Sequence, residues 1–184
     1  MTDRVILGLG ANIPGLWGPP LETLQRAIAQ FDAAAIKVCR ISALYQTAPV
    51  ASVRQPPYLN VVVVARTRHA PARLLALLKC MERRAGRRVR ALGAARPLDI
   101  DIIDFGGRVI GWPPGRRRPP LVLPHPEAHR RAFVLVPLLD VHPAWRHPYL
   151  GMSGRMLLQG LPRRPGDVWR KLASGWVSCQ DGHR

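Results

Sequence analysis

The sequence predicts an α+β domain in which two helices pack on one side of an antiparallel sheet, with additional C-terminal elements. Three observations carry this expectation. Apolar periodicity switches between strand-like and helix-like spacing in the order β-α-β-β-α-β. Pro and Gly punctuate the junctions between these segments. The chain has 184 residues, 47% hydrophobic against 21% charged, which is enough to bury one core without disulfide or metal staples. That order is the split pattern of a ferredoxin-like βαββαβ sandwich.

Each element has its own signal. Arg4 to Leu9 is a short apolar strand closed by Gly8-Leu9-Gly10, which reads as a tight turn because Ile13 stands where a dinucleotide motif needs its third Gly. Leu21, Leu24, Ile28 and Phe31 lie at helical spacing within Leu21 to Ala35. Lys37 to Gln46 alternates Val38, Ile41 and Leu44 with polar neighbours, and Tyr58 to Thr67 contains the β-branched run Val61 to Val64 of a buried strand. Pro49, Pro56 and Pro57 keep the segment between them out of any ladder. Pro71 opens a helix whose face is Leu74, Leu75, Leu78 and Met81, and Gly86 stops it. Leu98 to Phe105 alternates into a last strand. Beyond it lie an irregular basic loop containing Arg116, Arg117 and Arg118, the segment His125 to Leu139, and a helix over Ser153 to Leu161. Residues 1–161 are expected to form the single domain, and residues 162–184, with Trp169 and Trp176, a tail of open structure and role.

Composition excludes several classes. No apolar run approaches the roughly 20 residues of a membrane-spanning helix, and the start lacks the basic and apolar regions of a secretory signal, so a cytoplasmic protein is expected. Cys39, Cys80 and Cys179 are far apart and odd in number; reduced thiols, two of them buried, are expected. The net charge of +17 points to a polyanionic partner. Only Lys37, Lys79 and Lys171 are lysines among 28 basic residues, however, so arginine abundance reads largely as compositional drift around an anionic ligand. An RNA-binding module is the rival, but the strands lack the aromatic pattern that stacks bases.

Asp99-Ile100-Asp101 is the sharpest chemical feature. On a strand, residues two apart share a face about 7 Å apart, so both carboxylates converge while Leu98, Ile100 and Ile102 face the core. Paired carboxylates suit Mg²⁺ held together with substrate phosphates; a solvent-facing acidic strand is the plainer alternative. Arg87, Arg88, Arg90 and Arg96 lie in the connection before this strand, and Arg87 and Arg96 are the better candidates to grip phosphate. Asn60 can read the edge of a planar heterocycle and Tyr58 can stack on its face, although an Asn on a strand is often a satisfied edge residue. In Leu123-Pro124-His125-Pro126, His125 is a cap or a ligand contact, and its spacing to His129 does not make a zinc motif. Arg131 and Phe133 follow closely.

These residues together resemble a family. Gly8-Leu-Gly-Ala-Asn12, Ser42-x-x-Tyr45-Gln-Thr47-x-Pro49, Gln55-Pro-x-Tyr-Leu-Asn60, Glu82-x3-Gly86-Arg87, Arg96-x-Leu-Asp99-Ile-Asp101, Leu123-Pro-His-Pro126 and Arg131-x-Phe133 are similar to the motifs of 6-hydroxymethyl-7,8-dihydropterin pyrophosphokinases of folate biosynthesis, from about residue 4 to residue 143. The resemblance implies transfer of pyrophosphate from ATP to the pterin hydroxymethyl group with release of AMP. It implies two Mg²⁺ ions on Asp99 and Asp101, with Arg87 and Arg96 catalytic on the triphosphate. Asn60 would hydrogen-bond the pterin, Tyr58 and Phe133 would sandwich it, and Thr47, Pro49 and Val50 would present backbone to it. His125 and Arg131 would serve ATP, and Ile102 would border the adenine. A monomer or weak dimer is expected, with no membrane and no specific nucleic acid as partner. Ala94-Ala95-Arg96 departs from the usual Gly-Pro-Arg, which motivates a second rival, a relative that binds pterin or nucleotide without turnover.

Overall fold

The computed structural model describes residues 2–49, 55–88, 94–114, 120–162, 170–173 and 176–177. Among them the elements run β1 (Asp3–Ala11), α1 (Pro20–Ala29), β2 (Ile36–Ile41), β3 (Leu44–Thr47), β4 (Tyr58–Thr67), α2 (Pro71–Arg84), β5 (Asp99–Phe105), a 3₁₀ turn (Ala128–Arg130), α3 (Ala132–Val141), α4 (Gly154–Gln159) and β6 (Arg170–Ala173). The sheet is antiparallel in the order β5-β1-β4-β3-β6, with β2 also on β4. No helix among the described residues is long and apolar enough to cross a membrane.

The two faces of the sheet bury different cores. Val5, Leu7, Leu9, Val61, Val63, Ile100 and Ile102 pack with Leu24, Ile28 and Phe31 of α1 and Leu74, Leu78 and Met81 of α2. Ile6, Val62, Val64 and Ile103 pack on the opposite face with Leu135, Leu138 and Val141 of α3, Trp145 and Leu157. The expectation of helices on one face alone is therefore incomplete. A run such as Val61 to Val64 is apolar on both faces of its strand and has to be covered on both.

Several boundaries differ from the periodicity. β1 continues through Gly8 and Gly10 to Ala11 with an unbroken ladder to β4, so these glycines are strand residues and not a tight turn. The strand expected over residues 37–46 is two, because Ser42 and Ala43 interrupt it. Ser42 bridges the break with its own groups: Ser42 N donates to Val62 O (2.9 Å), and Ser42 Oγ accepts from Val62 N (3.0 Å). α1 ends at Ala29, and residues 30–35 turn back to β2 through Ala35 at φ +55°. α2 closes as expected: Gly86, at φ +100°, donates to Arg83 O and Arg87 N donates to Glu82 O, the paired bonds of a Schellman cap. Cys39 and Cys80 are both exposed, against the expectation of two buried thiols; Cys39 occupies the bulge of β2 and Cys80 the outer side of α2. The C-terminal region also joins the fold. β6 pairs with β3, Gln25 Nε2 donates to Trp176 O (3.0 Å), and Trp176 Nε1 donates to Ser42 O (3.2 Å).

Candidate active site

On the α3-covered face of the sheet the apolar residues give way to polar ones toward the Ala11 end of β1. In the register of the three neighbouring strands, Gly10 of β1 lies between Asn60 of β4 and Asp99 of β5, while Gly8 lies between Val62 and Asp101. Opposed residues share a face, so Asn60, Asp99 and Asp101 project to the same side with two residues lacking side chains between them. A Cβ on Gly10 would meet Asn60 Oδ1 at 3.2 Å. Gly10 thus leaves no side chain of its own between the amide and Asp99, whereas the space over Gly8 is taken by Ile103, whose Cδ1 would stand 3.0 Å from a Cβ there. Arg131 and Phe133 stand at the N-terminal end of α3.

A charge network holds the carboxylate side. Arg87 Nη1 pairs with Asp99 Oδ1 and with Glu82 Oε2 (2.7 Å), and Arg96 Nη1 pairs with Asp99 Oδ2 (2.7 Å). Glu82 is 2% exposed and would be costly to bury alone. It accepts from Ile100 N (2.7 Å) and Lys79 Nζ (2.7 Å), and Lys79 also donates to Ile100 O (3.2 Å). Three cations therefore face three carboxylates, since Lys79 Nζ lies 3.8 Å from Asp101 Oδ1. Burial pushes the Glu82 carboxyl up, with Lys79 opposing it. At Asp99 burial acts in the same sense, but Arg87, Arg96 and Lys79 outweigh it and hold the carboxyl below the usual range. On Arg87 the desolvation of burial is overcome by Asp99 and Glu82, so its guanidinium is held charged.

His125 Nε2 lies 3.7 Å from Asp101 Oδ2, and Nδ1 accepts the Glu127 N–H (3.1 Å), so the ring is fixed by the segment that leads into the 3₁₀ turn and faces the site. Burial lowers its pKa, with Asp101 opposing. On the amide side, Asn60 Nδ2 donates to Thr47 Oγ1 (2.8 Å), so Thr47 orients it. Tyr58 is half-buried, and its hydroxyl lies 3.5 Å from Ala94 O; burial raises its pKa, with Arg96 opposing. Pro49 and Phe133 are half-buried, and the Arg131 guanidinium carbon stands 5.7 Å from the centroid of the Phe133 ring. Ile102 alternates to the other face and packs in the α1/α2 core, leaving only its main chain toward the site. Arg88 is exposed; Val50, Arg90, Arg116, Arg117, Arg118, Trp169 and Cys179 lie outside the described residues.

Sequence reasoning missed Lys79 and the joint between the loops at Asn12, and left Glu82 without a role. One signal was available for Lys79, a rare lysine in an arginine-dominated chain. Its i to i+3 spacing to Glu82 puts both on one helix face, so the pair was legible once α2 was assigned. A cleft of about 210 Å³ beside the network is lined by Ile13, Leu16, Arg87, Arg88, Arg96 and Pro97, among others.

The oxygen donors fit a hard divalent cation in part. Asp101 and Asp99 supply two same-face carboxylates, but among the described residues no group of three or more His, Cys, Asp or Glu could hold a metal by itself. A cation here would complete its shell with the oxygens of a bound anion.

Comparison with known proteins gives a consistent result. A family model described as 7,8-dihydro-6-hydroxymethylpterin-pyrophosphokinase (HPPK) matches residues 6–143. The chain is 36% identical over 155 residues to the 2-amino-4-hydroxy-6-hydroxymethyldihydropteridine pyrophosphokinase of Synechocystis sp., covering 84% of this chain and 72% of that protein. It is 33% identical over 175 residues to the protein of the same name from Pseudomonas aeruginosa, covering 90% and 99%. The crystal structure of a Plasmodium falciparum HPPK-DHPS with pterin and p-hydroxybenzoate shares its fold, with a TM-score of 0.67 at 16% identity, covering 86% of this chain and 43% of that one. The chain spans less than half the length of this and other longer relatives that it matches.

Proposed function

The chain belongs to the 7,8-dihydro-6-hydroxymethylpterin-pyrophosphokinase family, and from that premise we propose that it transfers the pyrophosphoryl group of ATP to the hydroxymethyl group of 6-hydroxymethyl-7,8-dihydropterin in folate biosynthesis. The new bond joins the pterin hydroxyl oxygen to the β-phosphorus. The bond from that phosphorus to the α,β-bridging oxygen breaks, the hydroxyl proton is lost, and AMP leaves. The observation that carries this reading is the register of Asn60, Gly10 and Asp99 on adjacent strands, which sets a heterocycle-reading amide across a side-chain-free gap from the carboxylates.

In this reading Asn60 Oδ1 accepts from the pterin edge while Thr47 fixes the amide by accepting from Nδ2. Tyr58 and Phe133 cover the ring faces, with Pro49 alongside. Arg87 and Arg96 take the triphosphate, and His125 and Arg131 hold its nucleotide. The two arginines now neutralise Asp99; phosphates that draw them away release both carboxylate oxygens. Asp99 and Asp101 would then hold Mg²⁺, two ions in the family's manner, which neutralises the charge developing on the phosphoryl oxygens. Glu82 and Lys79 keep Arg87 and the start of β5 in place. Positioning and charge neutralisation carry the rate, and no protein nucleophile is required.

The sheet order, with α1 and α2 on one face, supports a ferredoxin-like core. A cytoplasmic monomer or weak dimer that takes no specific nucleic acid fits the same reading. Incubation of the protein with Mg·ATP and the hydroxymethyl pterin should yield AMP and the pterin diphosphate in equal amounts. Absence of AMP, or AMP with no diphosphorylated pterin, would refute the assignment.

A further inference from the structure

Asn12 follows the last residue of β1 and is 3% exposed, so its amide has to be satisfied within the protein. Its partners come from two separate loops. Asn12 Oδ1 accepts from Arg96 N (2.8 Å), and Asn12 N donates to Arg96 O (3.2 Å), so both main-chain groups of Arg96 are fixed by one residue. Asn12 Nδ2 donates to Gln55 Oε1 (3.2 Å) and Pro56 O (3.2 Å). Arg96 carries the guanidinium on Asp99, whereas Gln55 and Pro56 are the entry into β4, two to five residues before Tyr58 and Asn60. A second thread joins the same loops where Tyr58 meets Ala94 O.

We infer that Asn12 is a positioning residue that couples the nucleotide side of the site to the pterin side, because it fixes the Arg96 segment and the Gln55–Pro56 segment in one hydrogen-bonded joint. The inference rests on the functional reading above and goes beyond it. Movement of Arg96 when phosphates arrive is transmitted through the Asn12 amide to the strand that carries Tyr58 and Asn60. Each ligand therefore favours the arrangement that the other needs, and by linkage the effect is reciprocal.

The two functions of the amide are separable by substitution. Asn12→Asp keeps an oxygen to accept from Arg96 N but places a second acceptor against Pro56 O, a contact that is lost even if Gln55 turns its amide to donate, so it weakens only the pterin-side half. Asn12→Ala cuts both. Calorimetry with the hydroxymethyl pterin, with the Mg²⁺ complex of a non-hydrolysable ATP analogue, and with each in the presence of the other reads the coupling directly. In the wild type each ligand should tighten the other by about tenfold. In Asn12→Ala that enhancement should fall to within about twofold of none, while Asn12→Asp should keep nucleotide affinity and lose about tenfold in pterin affinity, the size of a lost buried hydrogen bond. Circular dichroism and the melting temperature establish that each variant is folded. Folded variants that retain the full mutual enhancement, or a wild type that binds both ligands independently, would overturn the role of Asn12. A wild type that binds neither ligand would instead overturn the functional reading, and this inference with it.

Discussion

Asp99 and Asp101 sit two residues apart on one strand face, yet their surroundings differ. Both oxygens of Asp99 are held by guanidinium groups, whereas among the described residues Asp101 makes no such close pair, with Lys79 and His125 at 3.8 and 3.7 Å. Loss of either carboxylate should lower turnover by roughly 100-fold or more, the range found when a preorganised electrostatic group is removed. Their effects on stability should diverge. Asp101→Ala should melt as the wild type does, while Asp99→Ala leaves Arg96 unpaired and should lose up to about 1 kcal/mol, a small value because these groups remain partly solvated. Thermal denaturation beside a steady-state assay checks both; equal stability losses would show that the Asp99 pairs carry no structural weight. Of this site, the shared face of the two carboxylates was legible from spacing, whereas Arg87, Arg96 and Asn60 were named from their place in the chain and their chemistry. The Glu82 role was not legible: helical spacing from Leu74 and Leu78 turns Glu82 inward and pairs it with Lys79, but nothing local says that Arg87 and the Ile100 N–H will meet its carboxylate there.

At the scale of elements, the C-terminal cap of α2 places Arg87. Gly86 adopts φ +100°, a conformation that L side chains rarely take, and a Cβ there would stand 3.2 Å from Leu16 N. Gly86→Ala should cost about 1–2 kcal/mol and shift Arg87, weakening nucleotide binding at the same time. Melting temperature and nucleotide titration test this, and unchanged values for both would dismiss the cap as the device that positions Arg87. The loop after α3 supports a different expectation. His147 is fully buried against Trp112, His129 and Trp145; its Nδ1 accepts from Tyr149 N and Leu150 N, and its Nε2 has no partner among the described residues. Burial, with His129 adding to it, pushes its pKa down to about 4. The unfolded chain protonates this ring near pH 6.5, so below that the unfolded state binds a proton that the folded state refuses. Stability is therefore complete above about pH 6.5 and falls as the pH drops toward 4, by on the order of 2–3 kcal/mol from this group. Asn at this position keeps an acceptor near Nδ1 and does not titrate. Melting curves of His147→Asn across that window should be flatter than those of the wild type, and parallel curves would assign the pH dependence elsewhere.

For the whole molecule, the net charge of +17 is the dominant electrostatic fact. If the arginines mainly surround one nucleotide site, a labelled single-stranded oligonucleotide should bind weakly, lose affinity steeply with salt, show no sequence preference and be displaced by Mg·ATP. Sub-micromolar, sequence-selective binding that survives physiological salt and ignores Mg·ATP would restore the nucleic-acid reading. Fluorescence titrations at several salt concentrations separate the two outcomes.

The amino-acid sequence by itself determined the order of the central elements and the identity of the chemical groups. Strand and helix periods are local, Pro71 and Gly86 mark the ends of α2 by their own backbone restrictions, and two carboxylates two residues apart on a strand share a face whatever packs around them. Only the tertiary structure decided that Gly8 and Gly10 lie within a strand, that α3 covers the second face, and that β6 and Trp176 return to β3 and Ser42. It alone brought Asn12, Gln55 and Arg96 into one joint across 84 residues of chain. The reason is the range of the forces involved. Backbone preferences act over one or two turns, whereas the burial of an apolar sheet face and the satisfaction of a buried amide depend on which distant segment arrives to supply the missing partner.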